Sequence, residues 1–152
     1  MNECMRIVDQ LHRVFFGGAW HGPSVKEVLA DVSAETAAAR TVPGTHSIWE
    51  LAHHIRAWIA ETDATVRGKV YESLKGDQDW PPVIDLSAEA WDQTLASLEQ
   101  AELSLEEAIK SLSPDKLGEG DHSFHHLLHG IGEHNAYHAG QIVLLKKLTP
   151  AM

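Results

Sequence analysis

Four long stretches of this chain place apolar residues three and four positions apart, and no stretch of useful length alternates with period two. That spacing builds one apolar stripe on each of four helices and leaves no basis for strands. The first stretch runs from about Glu3 to Phe16, with Met5, Val8, Leu11 and Phe15 on its stripe, and stops at the glycine pair Gly17-Gly18. Ser24 followed by Glu27 then reads as a capping box opening a short helix through about Ala30. Ser47 and Glu50 make the same signal for the second long helix, whose apolar set runs from Ile48 through Leu51, Ile55 and Ile59 to Val66. The third begins after Ser87 and ends at Ser113-Pro114. The fourth spans about His122 to Leu148, with Phe124, Leu128, Ile131, Ile142 and Leu145 on its stripe.

Four amphipathic helices in 152 residues, with no internal repeat, imply one domain over residues 1–152 and an all-α four-helix bundle. The stretch from Gly17 to Pro43 is too long for a tight turn and predicts a long crossover connection. No apolar run approaches the roughly 18 residues a membrane span requires, and Met1 to Arg6 lacks the layout of a secretory signal. The single cysteine, Cys4, rules out an internal disulfide or a cysteine-based zinc cluster and fits a reducing cytoplasm. A formal charge of −10 repels phosphate backbones, so neither nucleic acid nor a membrane is expected as a partner.

The composition is unusual in one respect, its 11 histidines. Five of them, His125, His126, His129, His134 and His138, fall on the last helix. Imidazoles four residues apart share one helical face and can reach a single cation. Such pairs arise by chance at this histidine frequency, so position on the helix must choose among them. At about 100° per residue, His138 and His134 fall inside or beside the apolar stripe, whereas His125, His126 and His129 fall on the far side. One pair therefore points both rings into the bundle, either as satisfied core histidines or as metal ligands.

A third ligand must come from another helix. His54 lies at the edge of the second stripe beside Trp58 and Leu51, while His53, at about 140° from Ile48, falls on the outer face. Glu61, two turns along the same edge, is a candidate outer carboxylate or fourth ligand. Three imidazoles with an open position suit catalytic zinc or nickel. Tyr137 and Gln141 lie within one turn of His138, where bundle packing or the orientation of a ligand both account for them. Trp20 and His21 sit in a glycine-flanked turn, as a binding loop or as a plug for the end of the bundle. His129 reads as a surface or subunit-contact residue.

The segment Ser47-Ile48-Trp49-Glu50-Leu51-Ala52-His53-His54-Ile55, followed by His134-Asn135-Ala136-Tyr137-His138-Ala139-Gly140-Gln141-Ile142, resembles the DinB-like family of four-helix metal-binding proteins. The Trp20-His21-Gly22-Pro23-Ser24 turn matches a subset of that family. The resemblance maps the family's three metal-ligand histidines to His54, His134 and His138, and implies an up-up-down-down bundle, commonly a homodimer, holding a divalent metal. Characterised relatives of this fold include bacillithiol transferases and a mycothiol-dependent maleylpyruvate isomerase. The expectation is a metal-dependent thiol transferase that activates a low-molecular-weight thiol co-substrate for attack on a small-molecule electrophile. The alternatives are a metallohydrolase using metal-bound hydroxide, with Glu61 as base, and a non-catalytic metal-binding dimeric module. There is no Gly-x-Ser-x-Gly, no P-loop and no dinucleotide fingerprint.

Overall fold

Each α-helix among the described residues starts on a serine or asparagine whose side chain closes a free backbone amide. The computed structural model describes residues 1–150. Asn2 caps α1 (Glu3–Phe16), which ends at Gly17 and Gly18 with φ of 143° and 86°, values that side chains disfavour. Ser24 and Glu27 form a reciprocal capping box on α2 (Val25–Leu29), and Ser33 caps α3 (Ala34–Ala38). Five residues are too few to show a period, which is why α3 left no trace in the spacing. Ser47 and Glu50 box α4 (Ile48–Val66), Ser87 caps α5 (Ala88–Lys110), and Ser123 caps α6 (Phe124–Leu148). His122 precedes that cap, so α6 starts two residues later than its spacing suggested. No strand occurs among the described residues.

Side-chain pairings fix the direction of each long helix. Cys4 Sγ lies 3.6 Å from the Leu112 carbonyl and His12 Nδ1 is 2.9 Å from a Glu106 oxygen, so α1 and α5 run antiparallel. Trp49 donates to Thr94 (3.0 Å) and Ser104 to Asp63 (2.8 Å), so α4 and α5 run parallel. His54 faces His138 while Trp58 faces His134, so α4 and α6 run antiparallel. The order is therefore up-down-down-up, not the up-up-down-down arrangement the resemblance implied.

Parallel neighbours cannot be joined by a tight turn, so the chain between α4 and α5 must travel back along the bundle. Residues 67–87 make that return, with only a short 3-10 turn at Gly76–Gln78. The earlier connection, expected from Gly17 to Pro43, folds into α2, packed between α1 and α6, and α3, packed mainly on α4.

The core is continuous from Ile7, Leu11 and Phe15 on α1 through Ile55 and Ile59 on α4 to Leu98, Leu105 and Ile109 on α5 and Leu128 and Ile142 on α6. Each such side chain contributes roughly 1.5–3 kcal/mol through burial. At one level Trp49 meets Trp91 edge-on at 5.1 Å, and Trp91 Nε1 donates to the Val32 carbonyl at 2.7 Å, tying the α2–α3 segment to α5. Cys4 is a packed thiol whose pKa burial pushes up. Trp20 is fully exposed, so it plugs nothing.

Candidate metal centre

His54, His134 and His138 are brought together by the antiparallel contact of α4 with α6. Ile55 and Ile59 hold α4 in the core, which turns the adjacent His54 toward α6; His54 and His138 are each 6% exposed. The Nε2 atom of His134 lies 3.0 Å from that of His54 and 3.2 Å from that of His138. Ligands bonded at 2.0–2.1 Å around a tetrahedral zinc stand about 3.3 Å apart, so these separations match the edges of such a site.

The remaining ring nitrogens decide where the protons are. His54 Nδ1 is 2.7 Å from the Asp79 carbonyl, and His138 Nδ1 is 2.6 Å from Gln141 Oε1. Both oxygens only accept, so both Nδ1 atoms carry the proton and both Nε2 atoms present lone pairs. His134 can offer one Nε2 proton to one of them and leaves the other lone pair facing it unrelieved. Its own Nδ1 is buried with no partner, as are both polar atoms of the Asn135 side chain. A cation at the meeting point removes the conflict, and the donor set fits a divalent metal.

Burial favours the neutral form of His134 and His138 that ligation needs. The pKa of His134 is pushed down to about 4, first by burial and then by the neighbouring His138 and His54. Burial also lowers that of His138. Around the rings, the Asp79 carboxylate lies 3.1 Å from His54 Nδ1 and accepts from Trp58 Nε1 at 2.7 Å. An imidazole held by an acidic residue on its far nitrogen is the usual outer support of a metal-binding histidine. Trp80 is sandwiched between His46 and His54. Asp79 and Trp80 come from the returning connection, where spacing carries no signal; the Pro81-Pro82 pair that follows was the only mark of a fixed backbone.

Other expectations resolve differently. His53 is not on an outer face: Trp49 Nε1 donates to its Nε2 (3.1 Å), and its Nδ1 meets the Pro81 carbonyl (3.1 Å). Glu61 is neither ligand nor outer support. It is buried about 10 Å along α4 from His54, bonded to Lys69 Nζ at 2.7 Å and the Glu72 amide at 3.3 Å. Gln141 orients His138, whereas Tyr137 is largely exposed and only edges the ring. His125 and His129 lie away from the three rings, against α1. His21 is exposed in its turn.

A cleft of about 540 Å³ opens beside His138, between the start of α4 and the last turns of α6. His46, His138 and Gln141 give it a polar side, and Leu51, Leu144 and Leu148 give it an apolar one.

No curated protein and no solved structure matches the chain. The sequence pattern of the DinB superfamily matches residues 20–142, a span that takes in α2 through most of α6 and all three converging histidines. With 123 of 152 residues inside that match, the chain belongs to the DinB superfamily.

Proposed function

We propose that the chain binds a divalent metal through His54, His134 and His138 and uses it to activate a low-molecular-weight thiol for attack on a small electrophile. The observation that carries this reading is the meeting of three Nε2 atoms, two of them committed as lone pairs, at the edge of a largely apolar cleft. A bound zinc or nickel ion would lower the pKa of a coordinated thiol and so supply thiolate at neutral pH.

The protein's own groups set the conditions for that chemistry. Asp79 and Gln141 hold His54 and His138 in the tautomer that presents Nε2. Trp80 walls one side of His54 and keeps water from it. Leu51, Leu144 and Leu148 offer apolar contact to the electrophile. Hydrolysis is less well served, because it needs a general base within reach of the attacking oxygen. Glu61 is bonded elsewhere, and the Asp79 carboxylate stands on the far nitrogen of His54, where it already accepts from Trp58.

The test uses tag-free, metal-loaded protein, a panel of low-molecular-weight thiols and a chlorinated aromatic acceptor. A thiol-dependent rate that is lost in His138→Ala supports the reading. No rate above that variant with any thiol overturns the catalytic part. Metal analysis of His54→Ala, His134→Ala and His138→Ala tests the binding part, and unchanged metal content in all three overturns it.

A further inference from the structure

A second group of ligand atoms lies on the opposite side of α6. His125 and His129 are one turn apart with ring centroids 4.5 Å from each other. Glu3, in the first turn of α1, turns its Oε1 toward both: it is 3.9 Å from His125 Nε2 and 4.0 Å from His129 Nε2. The three donor atoms all lie within 4.8 Å of one another. These spacings are too long for hydrogen bonds and make only loose ion pairs that need a protonated ring, so with neutral imidazoles three donor atoms face one point without a partner among themselves.

The arrangement is fixed by the backbone beneath it. Asn2 caps α1 and places Glu3 at its first position, and Arg6 holds the other carboxylate oxygen, Oε2, at 3.5 Å. On the other side, the His125 amide donates to the Leu117 carbonyl at 2.9 Å, anchoring the start of α6. Below the group, Leu11 and Gly132 bring α1 and α6 into close contact.

We propose that Glu3, His125 and His129 form a second divalent-metal site, which takes a first-row transition ion such as zinc through two imidazole nitrogens and one carboxylate oxygen. The two carboxylate–imidazole separations exceed the tetrahedral edge of about 3.3 Å by a little over half an ångström, and the imidazole–imidazole separation lies within 4.8 Å. Rotation of the half-exposed rings closes that gap without moving the helices. Water completes the coordination on the exposed side, and the net charge of −10 favours cation capture. With two imidazoles rather than three, and open to solvent, this is the weaker site. It cross-links the start of α1 to the start of α6, so metal bound there stabilises the fold by linkage.

The experiment is a Zn²⁺ titration of the tag-free, metal-stripped full chain, with bound metal counted after equilibrium dialysis. Circular dichroism confirms that each surface variant folds. The expected result is two equivalents for the wild type, of which His125→Ala and His129→Ala each lose the weaker one. Glu3→Gln weakens that class by more than about tenfold, the low end of what even outer supports of a metal contribute. His134→Ala loses the tighter class and keeps the weaker. His126→Ala, which is exposed and outside both groups, keeps both. A single wild-type equivalent that disappears in His129→Ala supports the surface site and removes the interior one. Wild-type stoichiometry and affinity retained in both His125→Ala and His129→Ala overturn this inference and leave the interior reading intact.

Discussion

Trp80 lies flat against His54, with ring centroids 3.8 Å apart and planes 7° from parallel. Its other face carries His46 at 3.5 Å and 6°. The indole therefore walls one face of His54 and stands edge-on to His138 at 6.2 Å, while Asp79, one residue earlier, fixes the Nδ1 of His54. Trp80→Ala keeps the Asp79 bond but lets the ring tilt and admits water. Metal affinity should fall by about tenfold, within the range set by outer supports of a metal, and Trp80→Phe should recover most of it. Competition with a chromophoric chelator measures both. Affinity unchanged in Trp80→Ala would mean that the Asp79 bond alone orients the ring.

On the proposed reading protons and metal compete for the same nitrogens, and the metal-free protein should register the proton side of that competition in its stability. His134 takes up a proton at about 4 in the folded chain, against an ordinary value of 6.5. Between those values the unfolded chain binds the additional proton, so stability falls as the pH drops through that window. His138 is shifted in the same direction. Thermal melts of metal-free protein from pH 7 to pH 5 should show a steeper loss of Tm for the wild type than for His134→Gln. Parallel curves would contradict the depressed value.

The parts of the site that lie on helix faces were legible before the fold was known. His134 and His138 sit four residues apart on an apolar stripe, and Ser47 with Glu50 set the start of the helix that carries His54. Asp79 and Trp80 were not legible, because an irregular connection has no period. Their position follows from α4 and α5 being parallel, which only pairings such as Trp49 with Thr94 reveal. His53 was misplaced because a single-stripe wheel assumes one buried side. α4 packs against α5, α6 and the returning connection, so almost no direction around it is outer. Glu61 shared a wheel angle with His54, but the wheel carries no axial distance, and Lys69 claims its carboxylate.

Two glycines of α6 should respond in opposite ways to an added methyl group. A Cβ at Gly140 would meet nothing within 4 Å, so Gly140→Ala gains about 0.5–1 kcal/mol from reduced backbone freedom in the unfolded chain. A Cβ at Gly132 would stand 3.2 Å from Leu11 Cδ2, and Leu11 is only 2% exposed, with little room to yield. Overpacking costs about 1–3 kcal/mol, which outweighs the same gain. Thermal melts should place Gly140→Ala above the wild type and Gly132→Ala below it, by about 2–4 °C per kcal/mol. Equal shifts in the two variants would contradict the close approach of α1 to α6 at this level.

The side chain of Glu102 is wholly buried on α5, and neither of its oxygens has a hydrogen-bond partner. Burial first, and the nearby Glu106 second, raise its pKa to about 8 from an ordinary 4.5. Between those values the folded chain holds a proton that the unfolded chain releases. Its stability contribution is therefore complete below 4.5 and is lost as the pH rises through 8. Glu102→Gln keeps the shape and removes the charge, so it should change little at pH 5 and stabilise the protein at pH 8.5. A gain of about 2 kcal/mol, well inside what the displacement allows, corresponds to a rise in Tm of about 4–8 °C. Melts of both proteins at the two pH values measure the difference. A shift of the same size at pH 5 and pH 8.5 would show that the amide repacks the core, and that Glu102 titrates like an exposed carboxylate.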